Sequence, residues 1–141
     1  MKTRIGRLIS LLYRKNQIFL GSKFKPLNIT TAEYSILLVL YETDILTQED
    51  LTNRLSIDKS AIARAIHSLE GKGYVRREKD HADQRCNRVS LMPKSLQAKP
   101  QIMEALDQWN EMLMAGMSQE ERDTAYQLLI RMTDNIEKEM N

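Results

Sequence analysis

One cysteine in 141 residues, Cys86, excludes a disulfide within the chain and fits a reducing compartment. Histidine is also scarce, with only His67 and His81, so little is on hand for acid–base catalysis. No phosphate-cradling glycine loop, paired metal-ligand motif or nucleophile elbow is visible, and His67, His81 and Cys86 lack the compact spacing of a zinc site. The expectation is a protein that is not an enzyme and takes no cofactor or metal. No uninterrupted apolar stretch approaches the roughly 18 residues of a membrane-spanning helix. The opening MKTRIGRLISLLYRKNQIF is broken by Arg14 and Lys15 and carries no small-residue cleavage site, so a leader peptide is not expected. A soluble, cytoplasmic chain with no membrane partner follows as the expectation.

Net charge is lacking too: the formal total of +2 at pH 7 is too small to announce a polyanionic partner. The distribution is another matter. Lys2, Arg4, Arg7, Arg14, Lys15, Lys23 and Lys25 all precede the first acidic residue, Glu33, and a second basic stretch lies between Lys72 and Arg88. The last segment is acidic, from Glu104 to Glu139. What the chain does have is ordinary globular material, 42% hydrophobic and 28% charged, in a length suited to one core.

Ile5, Leu8, Ile9, Leu12 and Phe19 recur at helical spacing, and Pro26 marks the end of that helix. Thr30 with Glu33 has capping-box spacing before Ile36, Leu37, Val39 and Leu40, which predicts a largely buried second helix. Thr47 with Asp50 opens a short third helix with Leu51 and Leu55 inward, and the chain turns after Ser56 and Ile57. Asp58 caps a fourth helix over 58–71, whose Ile62, Ala65, Ile66 and Leu69 share an inward face and which Gly71 and Gly73 stop. Two partly alternating segments, Tyr74 to Lys79 and Arg85 to Leu91, read as a hairpin. The joining stretch Asp80 to Gln84 contains no glycine, so a longer projecting loop is expected in place of a tight turn. Pro93 suits the first turn of a fifth helix to about Ala115, which must accommodate Pro100 by a kink or by a late start. Gly116 closes it, and Ser118 with Glu121 opens a last helix bearing Ala125, Leu129, Met132 and Ile136 on one side.

The order helix, turn, helix, hairpin is a winged helix-turn-helix layout, in which the second helix can enter a major groove. With its apolar side committed to the core, that helix turns Lys59, Ser60, Ala63, Arg64 and His67 outward. Ser60 and Ala63 are small enough for close approach, and Arg64 offers donors to a guanine edge or a phosphate. By itself such a helix reads as a solvated amphipathic surface. The hairpin that follows, with Arg76, Arg77, Lys79, Arg85 and Arg88, makes a second cationic element and turns the reading toward DNA.

The stretch LTQEDLTNRLSIDKSAIARAIHSLEGKGYVRREKDHADQRCNRVSL resembles the DNA-binding lobe of MarR-family regulators. The markers are the Leu69-Glu70-Gly71-Lys72-Gly73-Tyr74-Val75 exit from the fourth helix, the Asp83-Gln84-Arg85 wing and the Arg88-Val89-Ser90-Leu91 strand. Lys25-Pro26-Leu27 and Ala115-Gly116-Met117-Ser118 look like the SlyA branch, so the likeness spans nearly the whole chain. It implies a mainly α fold with a small β-hairpin wing. A winged lobe over 30–91, with recognition helix 58–71 and wing 74–91, would join a helical dimerisation region over 1–28 and 93–141.

The resemblance further implies a homodimer that binds a pseudo-palindromic duplex, regulates transcription as repressor or activator, and answers to a small aromatic or carboxylate effector. Arg85 takes the role of the wing-tip arginine in the minor groove, Asp83 shapes the wing by pairing with an arginine, and Arg77, Gln84 and Arg88 add wing contacts. An exposed local ion pair of Asp83 with Arg85 is the plain alternative. Ile5, Leu8, Ile9, Leu12, Leu129, Met132 and Ile136 fall at the dimer interface, although packing within one chain would use the same stripes. Arg14 and Tyr34 are candidates for the effector pocket, with a basic surface and a core filler as their plain readings. Gln84 replaces a second arginine usual in the family, and Met92 replaces a threonine that would cap the fifth helix. Cys86 reads as an inert strand thiol, since a redox role needs exposure and a lowered pKa. A winged-helix adaptor that binds protein is the alternative function.

Overall fold

The computed structural model describes residues 2–140. The elements are α1 (Gly6–Phe24), a short 3-10 helix (Lys25–Leu27), α2 (Thr31–Glu42), β1 (Ile45–Thr47), α3 (Gln48–Leu55), α4 (Lys59–Gly71), β2 (Val75–Lys79), β3 (Asn87–Leu91), α5 (Pro93–Leu113) and α6 (Gln119–Met140). The fold is mainly helical with a small antiparallel sheet, as expected, but the sheet has three strands in the order β1-β3-β2. The third strand, β1, is too short to show alternation and runs straight into the cap of α3. Its pairing of Leu46 with Val89 ties the wing to the core, because both side chains are buried.

The chain forms two compact units, one reaching through Leu106 and the other beginning at Asp107. In the first, Ile36, Leu37 and Leu40 of α2 and Ile62, Ile66 and Leu69 of α4 are buried with Leu51, Val89 and Ile102. Full burial of such side chains stabilises by about 1.5–3 kcal/mol each. α1 contributes Leu20 and Phe24, which continue the stripe begun at Leu8 and Leu12. Only that end of the helix is covered: Ile5, Leu8, Ile9 and Leu12 are exposed.

Local hydrogen bonds place the helix starts. The Thr30 amide donates to Glu33 Oε1 at 2.8 Å while Thr30 Oγ1 accepts from the Glu33 amide at 3.2 Å. Thr47 and Asp50 make the same reciprocal pair at 3.1 and 3.0 Å. Asp58 accepts from the Ala61 amide at 3.3 Å and so satisfies one of the orphan donors of α4. Asp58→Ala is therefore expected to cost about 1 kcal/mol of stability, read as a lower urea midpoint with an unchanged slope.

Helix exits also follow backbone chemistry. Pro26 lies in the 3-10 helix, after which Asn28 takes a left-handed conformation, φ 58°. Gly73, at φ +83°, lets the Tyr74 amide donate to Leu69 O at 2.9 Å, and this places Tyr74 in the helix-exit turn just before β2. At the other strand the expected start at Arg85 is corrected to Asn87. The Arg85 amide donates to Asp83 Oδ1 and the Cys86 amide to Asp83 O, both at 3.0 Å, which holds these residues in the loop.

α5 begins at Pro93 and runs through Pro100, so the late start is overturned. Met92, where a capping threonine was missed, accepts at its carbonyl from the Ser95 amide and hydroxyl at 3.0 and 2.6 Å. The helix stops at Leu113, two residues short of Ala115, before Gly116 at φ +80°. In the second unit, the Ser118 amide donates to Glu121 Oε1 at 2.9 Å and Ser118 Oγ accepts from the Glu121 amide at 3.1 Å. No residue of α6 is buried: Leu129 and Ile136 are exposed and Met132 is half-buried. No helix among the described residues is long and apolar enough to cross a membrane.

Candidate nucleic-acid interface

α3 and α4 are joined by a turn in which Ser56 is left-handed, φ 51°. With Ile62, Ile66 and Leu69 buried, the opposite side of α4 presents Lys59, Ser60, Arg64 and His67 exposed and Ala63 half-buried. None of Lys59, Arg64 and His67 enters an ion pair among the described residues. An exposed arginine with no carboxylate partner keeps its planar array of donors available, the arrangement needed to read a guanine edge.

The wing loop carries the second cation. The Arg85 side chain is 91% exposed, and its Nε donates to Asp83 Oδ1 at 3.2 Å. The backbone and side-chain donors of Arg85 hold the Asp83 carboxyl below its ordinary range. Asp83 thus organises the loop while Arg85 projects from it. The Cys86 thiol donates to Asp83 Oδ2 at 3.6 Å, and burial followed by the Asp83 charge pushes its pKa up. This environment disfavours thiolate and gives no support to a redox role. His67, His81 and Cys86 do not converge, and no cluster of three potential metal ligands occurs among the described residues.

Three of the other wing cations are less available, whereas Lys79 is exposed. Arg77 is half-buried and donates to Glu70 of α4 at 3.3 Å, so it braces the strand against the helix and does not project. Arg76 pairs with Glu78. Arg88 is half-buried on β3, in register with Glu78 on one side and Thr47 on the other, while Gln84 is exposed in the loop. Arg14 is exposed on α1, and Tyr34 packs its ring 4.9 Å from that of Phe24, where burial pushes its phenol up.

A polar cluster behind the interface was not anticipated. Lys72, just past the end of α4, donates to both Glu33 oxygens at 2.8 and 3.0 Å, and the Glu33 side chain is 3% exposed. Burial pushes the Glu33 carboxyl up, but Lys72, Thr30 and Ser68 outweigh it and hold the pKa below its ordinary value. Tyr74 donates its hydroxyl to Leu27 O at 2.5 Å, and Lys94 reaches Lys72 O at 2.7 Å across the Tyr74 ring. The capping-box spacing accounted for Glu33 without revealing its distant partner.

Fold and exposed cations together define a winged helix-turn-helix protein. The MarR family model matches residues 29–87. The HTH-type transcriptional regulator YdgJ of Bacillus subtilis is 30% identical over 118 residues, which span 83% of this chain and 72% of that protein. A MarR transcriptional regulator from Methanosarcina mazei Go1 is 36% identical, with 95% of this chain and 96% of that one covered and a TM-score of 0.92. The structure of the transcriptional regulator SlyA is 26% identical, with 97% and 96% covered and a TM-score of 0.91. A cysteine-to-serine mutant of MarR from E. coli, complexed with operator DNA, is 26% identical with 91% and 92% covered and a TM-score of 0.81. The chain belongs to the MarR family. It is a MarR-family transcriptional regulator, and its likeness to SlyA agrees with the flanking segments noted in the sequence.

Proposed function

We propose that this chain acts as a homodimer on a pseudo-palindromic DNA operator, reading major grooves with Lys59, Ser60, Ala63, Arg64 and His67 and entering minor grooves with Arg85. The observation that carries this reading is the pair of solvent-facing cationic elements, unpaired Arg64 on α4 and Arg85 at the wing tip. The solved complex of MarR with operator DNA supports it. Exposed apolar stripes on α1 and its N-cap (Ile5, Leu8, Ile9, Leu12) and on α6 (Leu129, Ile136) support a two-fold partner, because each needs cover that its own compact unit does not supply. Transcription then follows operator occupancy in the cytoplasm. Release by a small aromatic or carboxylate effector belongs to the same proposal, with Arg14 and Tyr34 as the first residues to vary.

Sedimentation equilibrium should give twice the mass of one chain. Anisotropy titrations on duplex DNA should show affinity falling steeply with salt, at about 0.9 log units per log unit for each phosphate neutralised. A monomeric species whose affinity for duplex does not respond to salt would instead favour a protein-binding adaptor.

A further inference from the structure

Resting on the DNA-binding reading, we propose that the polar cleft between α3, the start of α4 and the wing loop holds the sugar–phosphate strand that separates the two grooves, with Asn53 and the Gln48–Asn87 amide pair as its uncharged phosphate ligands. A major groove and the minor groove beside it share one sugar–phosphate wall. If α4 lies in the first and Arg85 in the second, that wall must pass between them. The structure holds a cleft of about 520 Å³ at this place, lined by Lys59 from the start of α4 and Arg85 from the wing loop.

Glu49 and the two cations apart, the lining is uncharged and rich in polar groups. Gln48 Oε1 accepts from Asn87 Nδ2 at 3.0 Å, which joins α3 to β3 across the cleft. That bond uses one amide NH2 and one carbonyl, so the pair keeps a second NH2 for a ligand. The Asn53 side chain is exposed and makes no hydrogen bond among the described residues. Glu49 is the single acidic lining residue against two cations, Lys59 and Arg85. Uncharged amides in a cleft that also holds two cations suit a phosphodiester, which takes hydrogen bonds from the former and neutralisation from the latter.

Contacts to phosphate position a protein without reading sequence. Asn53→Ala in the full chain should therefore weaken binding by about tenfold on every duplex tested, with the melting temperature and the salt slope unchanged. Lys59→Met should lower that slope by about one. Duplexes carrying single methylphosphonates, scanned along one half-site, supply the deciding comparison. One linkage in the strand between the grooves should weaken the wild-type chain more than it weakens Asn53→Ala. Additive losses at every linkage, or an Asn53→Ala variant that binds like wild type, would overturn the cleft assignment while DNA binding stands. A wild-type chain that binds no duplex would overturn both.

Discussion

Arg64→Ala is expected to weaken operator binding by about 1–3 kcal/mol, roughly 5- to 150-fold, with discrimination relaxed at the base pair it faces. The side chain is exposed, lies on the solvent side of α4 and makes no ion pair among the described residues. Its removal therefore leaves no buried group unsatisfied, and the melting temperature should stay within the scatter of surface substitutions. This separates Arg64 from neighbouring cations. Arg77, held by Glu70, should affect stability and binding together, whereas a phosphate contact such as Asn53 should weaken all sequences alike. Binding isotherms on an operator and on its single-base variants make the comparison. A uniform loss across those variants would assign Arg64 to the backbone.

The largest effect on stability is expected at Lys72. Lys72→Met leaves the Glu33 carboxylate buried without its ammonium, and breaking such a pair costs about 3–5 kcal/mol. In the native chain Glu33 has a depressed pKa, so its contribution is present above the ordinary carboxylate value of 4.5 and is lost as pH falls through the lower folded value. In the variant, burial acts unopposed by the cation, and protonation relieves the penalty. The urea stability curves of the two proteins should therefore diverge at pH 7 and converge toward pH 3. Glu33→Gln combined with Lys72→Met should recover much of the loss, because neither partner then carries a buried charge. A constant gap across pH would refute the ion-pair origin of the effect.

Features generated by neighbours along the chain were legible in the sequence. The caps at Thr30, Thr47, Asp58 and Ser118 each join residues three apart, and the outward face of α4 follows from a 3.6-residue repeat. Features generated by distant partners were not. β1 is a strand only because β3, more than forty residues later, supplies its hydrogen bonds. Glu33 and Lys72 lie 39 residues apart and Gln48 and Asn87 another 39, so no local pattern marks either pair. Arg77 reads as a free wing cation in the sequence, and only the fold brings Glu70 of α4 beside it. On α1 the repeat was visible, but which end the core would cover depended on α2, whose Tyr34 meets the Phe24 ring.

Selection of binding sites from a pool of random-sequence duplexes tests the central claim most directly. Two copies of one chain, each inserting α4 into a successive major groove, should enrich an inverted repeat with half-site centres about 10–10.5 base pairs apart. Recovery of a single asymmetric site, or no enrichment over the starting pool, would contradict the account.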